Sequence, residues 1–228
     1  MLRKFSIAII AITMSMGFVT AEVIDFDDLG SLLGNNPQNT AGLYWDSDPI
    51  GFQTNGFQFD MGLIDQNYFS NTYSNSSSLP SGSIAAYSNN DSNNPFSEVT
   101  VSTIDGSLFN FIGAQFGGFT YNDTVPWYAA TALTIEGYAD GSLVNSVLFD
   151  PLNIGFQENF VGLYGIDTLV FTATPGTYDY SSLGLTNQGT GSYWMMDNFE
   201  YTNVPEPASM LLLGCGLLGL AVLRKREI

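Results

Sequence analysis

The sequence has no histidine, one cysteine, and only five lysine plus arginine residues among 228. All five cations lie at the ends: Arg3 and Lys4, then Arg224, Lys225 and Arg226. Between Phe5 and Leu223 there is no Lys, Arg or His. Segment 22–204 therefore carries 20 carboxylates and no cationic side chain, a formal charge of -20.

Each absence excludes a chemistry. Nucleic acids and anionic membrane surfaces are bound through Lys and Arg that neutralise phosphates, so no nucleic-acid partner is expected. Schiff-base lysines, Ser-His-Asp or Cys-His nucleophiles, His-ligated zinc and Arg-assisted phosphoryl transfer all lack their residues. Carboxylates, hydroxyls, amides and aromatic faces remain, a palette that suits calcium and sugars. The charged fraction is only 12%, so the surface is mainly Asn, Ser, Thr, Gln, Gly and Tyr. The unopposed acids repel other anions and keep the body soluble.

The ends read as addresses. Met1–Ala21 has a charged start, an apolar run from Phe5 to Phe18, and Val19-Thr20-Ala21 before Glu22. That order is a secretory signal peptide, residues 1–21. At the other end, Val204-Pro205-Glu206-Pro207 precedes an apolar, Leu- and Gly-rich stretch that ends at Arg224-Lys225-Arg226. As a helix, the 16 residues from 208 to 223 reach roughly 24 Å at about 1.5 Å per residue. This is short of a bilayer core of about 30 Å, but it suffices if the basic tail snorkels on the cytoplasmic side. Cys215 lies inside this stretch and has no second cysteine, so the exported body must fold without an intramolecular disulfide.

The Pro205-Glu206-Pro207 triplet, the short apolar helix and the Arg224, Lys225, Arg226 tail together resemble the PEP-CTERM sorting signal of Gram-negative bacteria. The resemblance implies processing by an exosortase, a membrane cysteine peptidase that reads the triplet. It also implies an exported protein, held transiently in the inner membrane by its C-terminal transmembrane helix and destined for the outer surface or extracellular matrix. The expected organisation is a signal peptide at 1–21, one extracellular domain at 22–203 and a sorting segment at 204–228.

The body reads as all-β. Runs rich in Phe, Tyr, Val, Ile and Thr, bounded by Gly, Asn, Asp, Ser and Pro, predict strands at 22–26, 56–61, 83–88, 98–103, 108–111, 131–138, 142–149, 168–172 and 193–201. The clearest unit is a hairpin in which Asp140-Gly141 forms a tight turn, with Leu133 and Ile135 on one face. Val147 and Phe149 extend an apolar face on the return arm. Sixteen of the 30 residues from 66 to 95 are Ser or Asn, a long polar excursion with one strand inside it. The expectation is a single β-sandwich or jelly roll, flanked by an N-terminal signal helix and the C-terminal helix.

Three pieces resemble jelly-roll carbohydrate-binding modules: Ile24–Leu29, the hairpin from Leu133 to Phe149, and Met196-Asp197-Asn198-Phe199. That resemblance implies pairing of the first and last strands, with an acidic residue from each holding a structural Ca²⁺. Asp27 and Asp197 are the best pair and Asp25 a third candidate. A carboxylate beside Phe26 or Phe199 is costly to bury unpaired, so a metal, a backbone donor or solvent must compensate.

For sugar recognition the candidates are Tyr44-Trp45, beside Asp46 and Asp48, and Trp127-Tyr128, after Asn122, Asp123 and Pro126. Aromatic faces stack on pyranose C–H faces while amides and acids bond the hydroxyls. Trp194 falls on the last strand and reads as core. A glycosidase needs two facing carboxylates, and Glu98, Glu136 and Glu200 show no pattern that pairs them. The expected function is therefore non-enzymatic: an exported surface or matrix protein that binds or associates with exopolysaccharide. The alternatives are a structural or adhesive biofilm protein without a discrete site, and a carboxylate-dependent glycan hydrolase.

Overall fold

The computed structural model describes residues 20–33, 51–66, 79, 82, 84–88, 98–118, 129–153, 155–179 and 188–204. The expected signal peptide, 1–21, lies outside them except for Thr20 and Ala21, as do the residues of the expected sorting segment from Pro205 onward, Cys215 included.

Two antiparallel sheets pack face to face, as expected for a β-sandwich. The six-stranded sheet contains β1 (Glu22–Ile24), β4 (Gly62–Asp65), β5 (Ile84–Tyr87), β7 (Phe109–Gly118), β10 (Gln157–Ile166) and β13 (Trp194–Asn203). Its order is β10-β7-β13-β5-β4, with β1 also on β13. The seven-stranded sheet contains β2 (Phe52–Thr54), β3 (Phe57–Phe59), β6 (Val99–Thr103), β8 (Ala130–Ala139), β9 (Ser142–Phe149), β11 (Thr168–Asp179) and β12 (Gln188–Gly191). Its order is β2-β3-β6-β11-β8-β9, with β12 on β11.

Aromatic rings hold the sheets together. Phe57 of the seven-stranded sheet meets Phe199 and Tyr201 of the other edge-on, at centroid distances of 5.4 and 4.7 Å. Phe59 meets Phe199 at 5.4 Å, and Phe171 meets Trp194 at 5.1 Å. Edge-to-face packing puts positive ring edges on negative faces, which adds about 0.5–1.5 kcal/mol per pair beyond burial. Trp194 is fully buried, as its strand position suggested, and its Nε1–H meets no acceptor among the described residues.

The Asp140-Gly141 hairpin forms as read. Both residues have positive φ, 49° and 72°, and Ala139 pairs with Ser142. Leu133 and Ile135 are fully buried, and Val147 and Phe149 pack against the core. The first strand is shorter than the 22–26 run suggested. Asp25 Oδ1 accepts the Asp27 N–H at 3.2 Å, Phe26 turns into the left-handed region at φ 63°, and a 3₁₀ turn follows over Asp27–Leu29. A local side-chain bond has replaced the ladder there. A single helical turn, Gly30–Leu33, comes next.

β1 and β5 share one edge of β13. The other edge of β13 is occupied by β7. Ala86 of β5 pairs with Met196, and Ile24 of β1 pairs with Phe199. The first and last strands are thus neighbours, and residues 197–198 mark the seam where β5 stops and β1 begins.

Candidate functional site

The outer face of the six-stranded sheet carries an open groove of ≈ 510 Å³. Its floor and walls follow from register. Val23 lies opposite Glu200, Glu200 opposite Gly113, and Gly113 opposite Phe160, one row across β1, β13, β7 and β10. Gly113 has no side chain, so the row dips between Glu200 and Phe160. The neighbouring row is Asp197, Gln115 and Glu158, and Gln115 Nε2 donates to Glu158 Oε1 at 3.2 Å. Asn198, at φ 50°, sits in a bulge of β13 between the two rows and also lines the groove.

The β10 wall is built by two further bulges. Pairing shifts between Phe160 and Leu163 and again between Leu163 and Ile166, with Gly162 at φ 68° and Gly165 at φ 65°. Glycine takes this left-handed conformation without the Cβ clash that other residues meet, and bulges of this kind re-aim side chains. Val161, Leu163 and Ile166 point into the core, while Phe160 is 72% and Tyr164 55% exposed. Both aromatics come close over Gly162: a Cβ there would lie 3.1 Å from the Phe160 ring and 3.4 Å from the Tyr164 hydroxyl. Asn110 of β7 fixes the second bulge, since its Oδ1 accepts the Gly165 N–H at 2.9 Å while its Nδ2 donates to Thr202 Oγ1 at 2.9 Å.

The groove thus offers one exposed aromatic side chain, Phe160, two carboxylates and two amides, with the exposed Tyr164 beside Phe160 across Gly162. Sequence reading missed it. Tyr44, Trp45, Trp127 and Tyr128 lie outside the described residues, as do Asp46, Asp48 and the sorting residues Pro205, Glu206, Pro207, Arg224, Lys225 and Arg226. The available signal was Phe160-x-Gly162-x-Tyr164, two aromatics flanking a residue too small to crowd them.

The carboxylate candidates separate. Glu136 Oε2 accepts a 2.8 Å bond from the Tyr138 hydroxyl on the seven-stranded sheet. That bond, with burial and the charges of Glu136 and Glu98, raises the Tyr138 pKa. Glu98 and Glu136 are therefore far from Glu200, which lies on the other sheet.

The three acids considered for calcium have backbone partners. Asp27 Oδ1 accepts the Ile84 N–H at 3.0 Å, at the head of β5. Asp197 is fully buried, and its Oδ1 accepts the Asn198 N–H at 2.7 Å. Asp25 caps Asp27, as described. Asp27 and Asp197 belong to the same seam between β1 and β5. Among the described residues no three Asp or Glu side chains group as a metal site, so Asp25 does not complete a carboxylate triad. Two carboxylates with backbone carbonyls still fit the oxygen chemistry of Ca²⁺.

Fold and groove together define a β-sandwich that presents a polar, aromatic-walled surface. Residues 203–226 match the PEP-CTERM protein-sorting motif. The motif marks the chain as an exported protein sorted by exosortase, its processing partner. No helix among the described residues is long and apolar enough to cross a membrane. No curated protein matches the chain. Among solved structures it is similar to a DUF4465 family protein from Bacteroides caccae, at 13% identity and a TM-score of 0.46, over 81% of this chain and 100% of that one. It is also similar to an arabinose-bound α-L-arabinofuranosidase, at 12% identity and a TM-score of 0.33, over 65% of this chain but only 23% of the other.

Proposed function

We propose that the exported domain is a non-enzymatic glycan-binding module that associates with exopolysaccharide on the cell surface or in the matrix, through the groove of the six-stranded sheet. The observation that carries this reading is the pair Phe160 and Tyr164, held out of the core by the Gly162 and Gly165 bulges. Large aromatics left in water on a β-sheet face cost the fold solvation that a bound sugar recovers. Beside them Gln115, Glu158, Asn198 and Glu200 supply acceptors and donors for hydroxyls, the few placed polar groups a binding groove needs.

Hydrolysis is the weaker reading. Glu158 and Glu200 flank β7 on either side and one row apart, about 12 Å between their backbones by two strand spacings and a two-residue rise. Glu158 is exposed and bonded by Gln115, not enclosed in an apolar pocket. Structural Ca²⁺ belongs at the Asp27–Asp197 seam in this reading. Asp197 is a fully buried carboxylate in a body that has no cationic side chain.

The test is retention of the purified exported protein on a panel of immobilised polysaccharides, with Phe160→Ala and Tyr164→Ala beside it. Retention that both variants lose supports the site. A wild-type protein that no glycan retains removes it in favour of a purely structural or adhesive role.

A further inference from the structure

Resting on that glycan-binding reading, we infer that the groove's ligand is an amino sugar, a glycan that carries free ammonium groups. Charge complementarity carries the inference. Glu200 and Glu158 stand on opposite sides of the dip at Gly113, in adjacent rows. Among the described residues, the polar side chain bonded to either across the groove is the neutral amide of Gln115. No Lys, Arg or His exists between residues 5 and 223, so this protein has no cationic side chain in its body to place beside them.

The two acids therefore face a ligand-sized space with their charge unmatched by the protein. A uronic-acid or sulfated polymer meets repulsion there. A neutral sugar gains hydrogen bonds but leaves both charges to solvent. An ammonium makes charge-assisted bonds to the carboxylates, roughly twice as strong as neutral ones. It is also attracted to the ring faces of Phe160 and Tyr164. The aromatic pair supplies affinity for a pyranose face, and the acid pair selects the substituent.

The experiment compares binding of the exported protein to four soluble oligosaccharides of equal length. They are a β-linked glucosamine oligomer with free amines, its fully N-acetylated form, a neutral glucose oligomer and a uronic-acid oligomer. The expected result is binding of the free-amine oligomer about tenfold tighter than its acetylated form at low salt. The ratio should shrink toward one at about 1 M salt, where charges are screened within ~3 Å. Glu158→Gln with Glu200→Gln should also bring the ratio close to one. Asp140→Asn removes an equal charge on the other sheet and keeps an Asn-Gly turn, and it should leave the ratio as it was. Equal affinity for the free-amine and acetylated forms overturns the amino-sugar inference and leaves the glycan reading standing. So does a preference that survives in the double variant, or a preference for the uronic-acid oligomer. Binding of none of the four overturns the inference, and failure on the polysaccharide panel overturns the parent reading separately.

Discussion

The Tyr201 hydroxyl donates a 2.7 Å hydrogen bond to Glu22 Oε2, tying the first residue of β1 to the last strand. Asn203 Nδ2 reaches the other oxygen of Glu22 at 3.4 Å, and the Val204 N–H donates to the Leu108 carbonyl at 3.1 Å. The two ends of the described β-sandwich thus meet at one place. The groove begins one residue further in, at Val23 opposite Glu200.

This latch has a pH signature. Burial, then the bond to Glu22 and its charge, raise the Tyr201 pKa well above the usual tyrosine value of 10.0. A raised acid pKa means the unfolded chain loses its proton first. The contribution is complete below about pH 10 and is lost as pH climbs toward the folded value. Melting midpoints measured from pH 8 to pH 11.5 should fall on the alkaline side. Tyr201→Phe should cost about 1 kcal/mol at neutral pH, the net worth of one hydrogen bond, and should flatten that alkaline fall. An alkaline fall of unchanged steepness in the variant would assign it to another group.

Gly162→Ala should damage binding more than its size suggests. At φ 68° a Cβ costs about 1–2 kcal/mol of backbone strain, and here it also presses on the Phe160 ring 3.1 Å away. The expected outcome is a modest loss of thermal stability together with loss of retention on the glycan that holds wild type. Val161→Ala is the control. It removes buried apolar volume from the same strand and should lower stability while retention persists.

The Trp194 indole makes an unusual prediction. Its N–H is buried without an acceptor among the described residues, between Phe116 and Phe171. An orphaned buried donor costs about 1–3 kcal/mol. Trp194→Phe loses ring area but discards that donor, so it should destabilise by less than about 1.5 kcal/mol. Trp194→Ala should cost about 3–5 kcal/mol, as large-to-small core changes do. Denaturant midpoints of the two variants settle the comparison, and equal losses would mean that the N–H is satisfied in solution.

The two halves of the molecule were unequally legible in the sequence, for a physical reason. β8 and β9 pair without a shift from Leu133 to Gly137, their turn is chosen by Asp140-Gly141, and alternation marks Leu133 and Ile135 as core; their one bulge, between Gly137 and Tyr138, lies beyond those positions. β13 was readable because Phe199 and Tyr201 keep the period of two beyond its bulge. β10 was not foreseen. Gly162 and Gly165 each insert a residue, so its inward set, Val161, Leu163 and Ile166, obeys no single period. β7 and β11 run past their foreseen ends at Phe111 and Thr172 to Gly118 and Asp179. Glycine at 113, 117 and 118, and Pro175 with Gly176, are poor strand formers that the neighbouring strands hold in the ladder. The aromatic site was missed for the same cause. Tertiary pairing, not residue type, decides which of 32 rings face water.

Removing calcium tests the seam between β1 and β5. Asp27 holds the Ile84 N–H, and a Cβ on Gly82 would collide with its carboxylate, so Asp27 is a structural acceptor whether or not an ion binds. Asp197 is the sharper probe, because a buried carboxylate without a cationic neighbour is expensive and Ca²⁺ relieves it. With an ion bound, a chelator should lower the melting midpoint, added Ca²⁺ should restore it, and Asp197→Asn should abolish both responses. Asp27→Ala should lower the midpoint even in chelator, since it also strips an acceptor from Ile84. A wild-type midpoint indifferent to both chelator and Ca²⁺ would remove the ion and leave the backbone donors, Asn198 N–H first among them, as the groups that hold the buried charge.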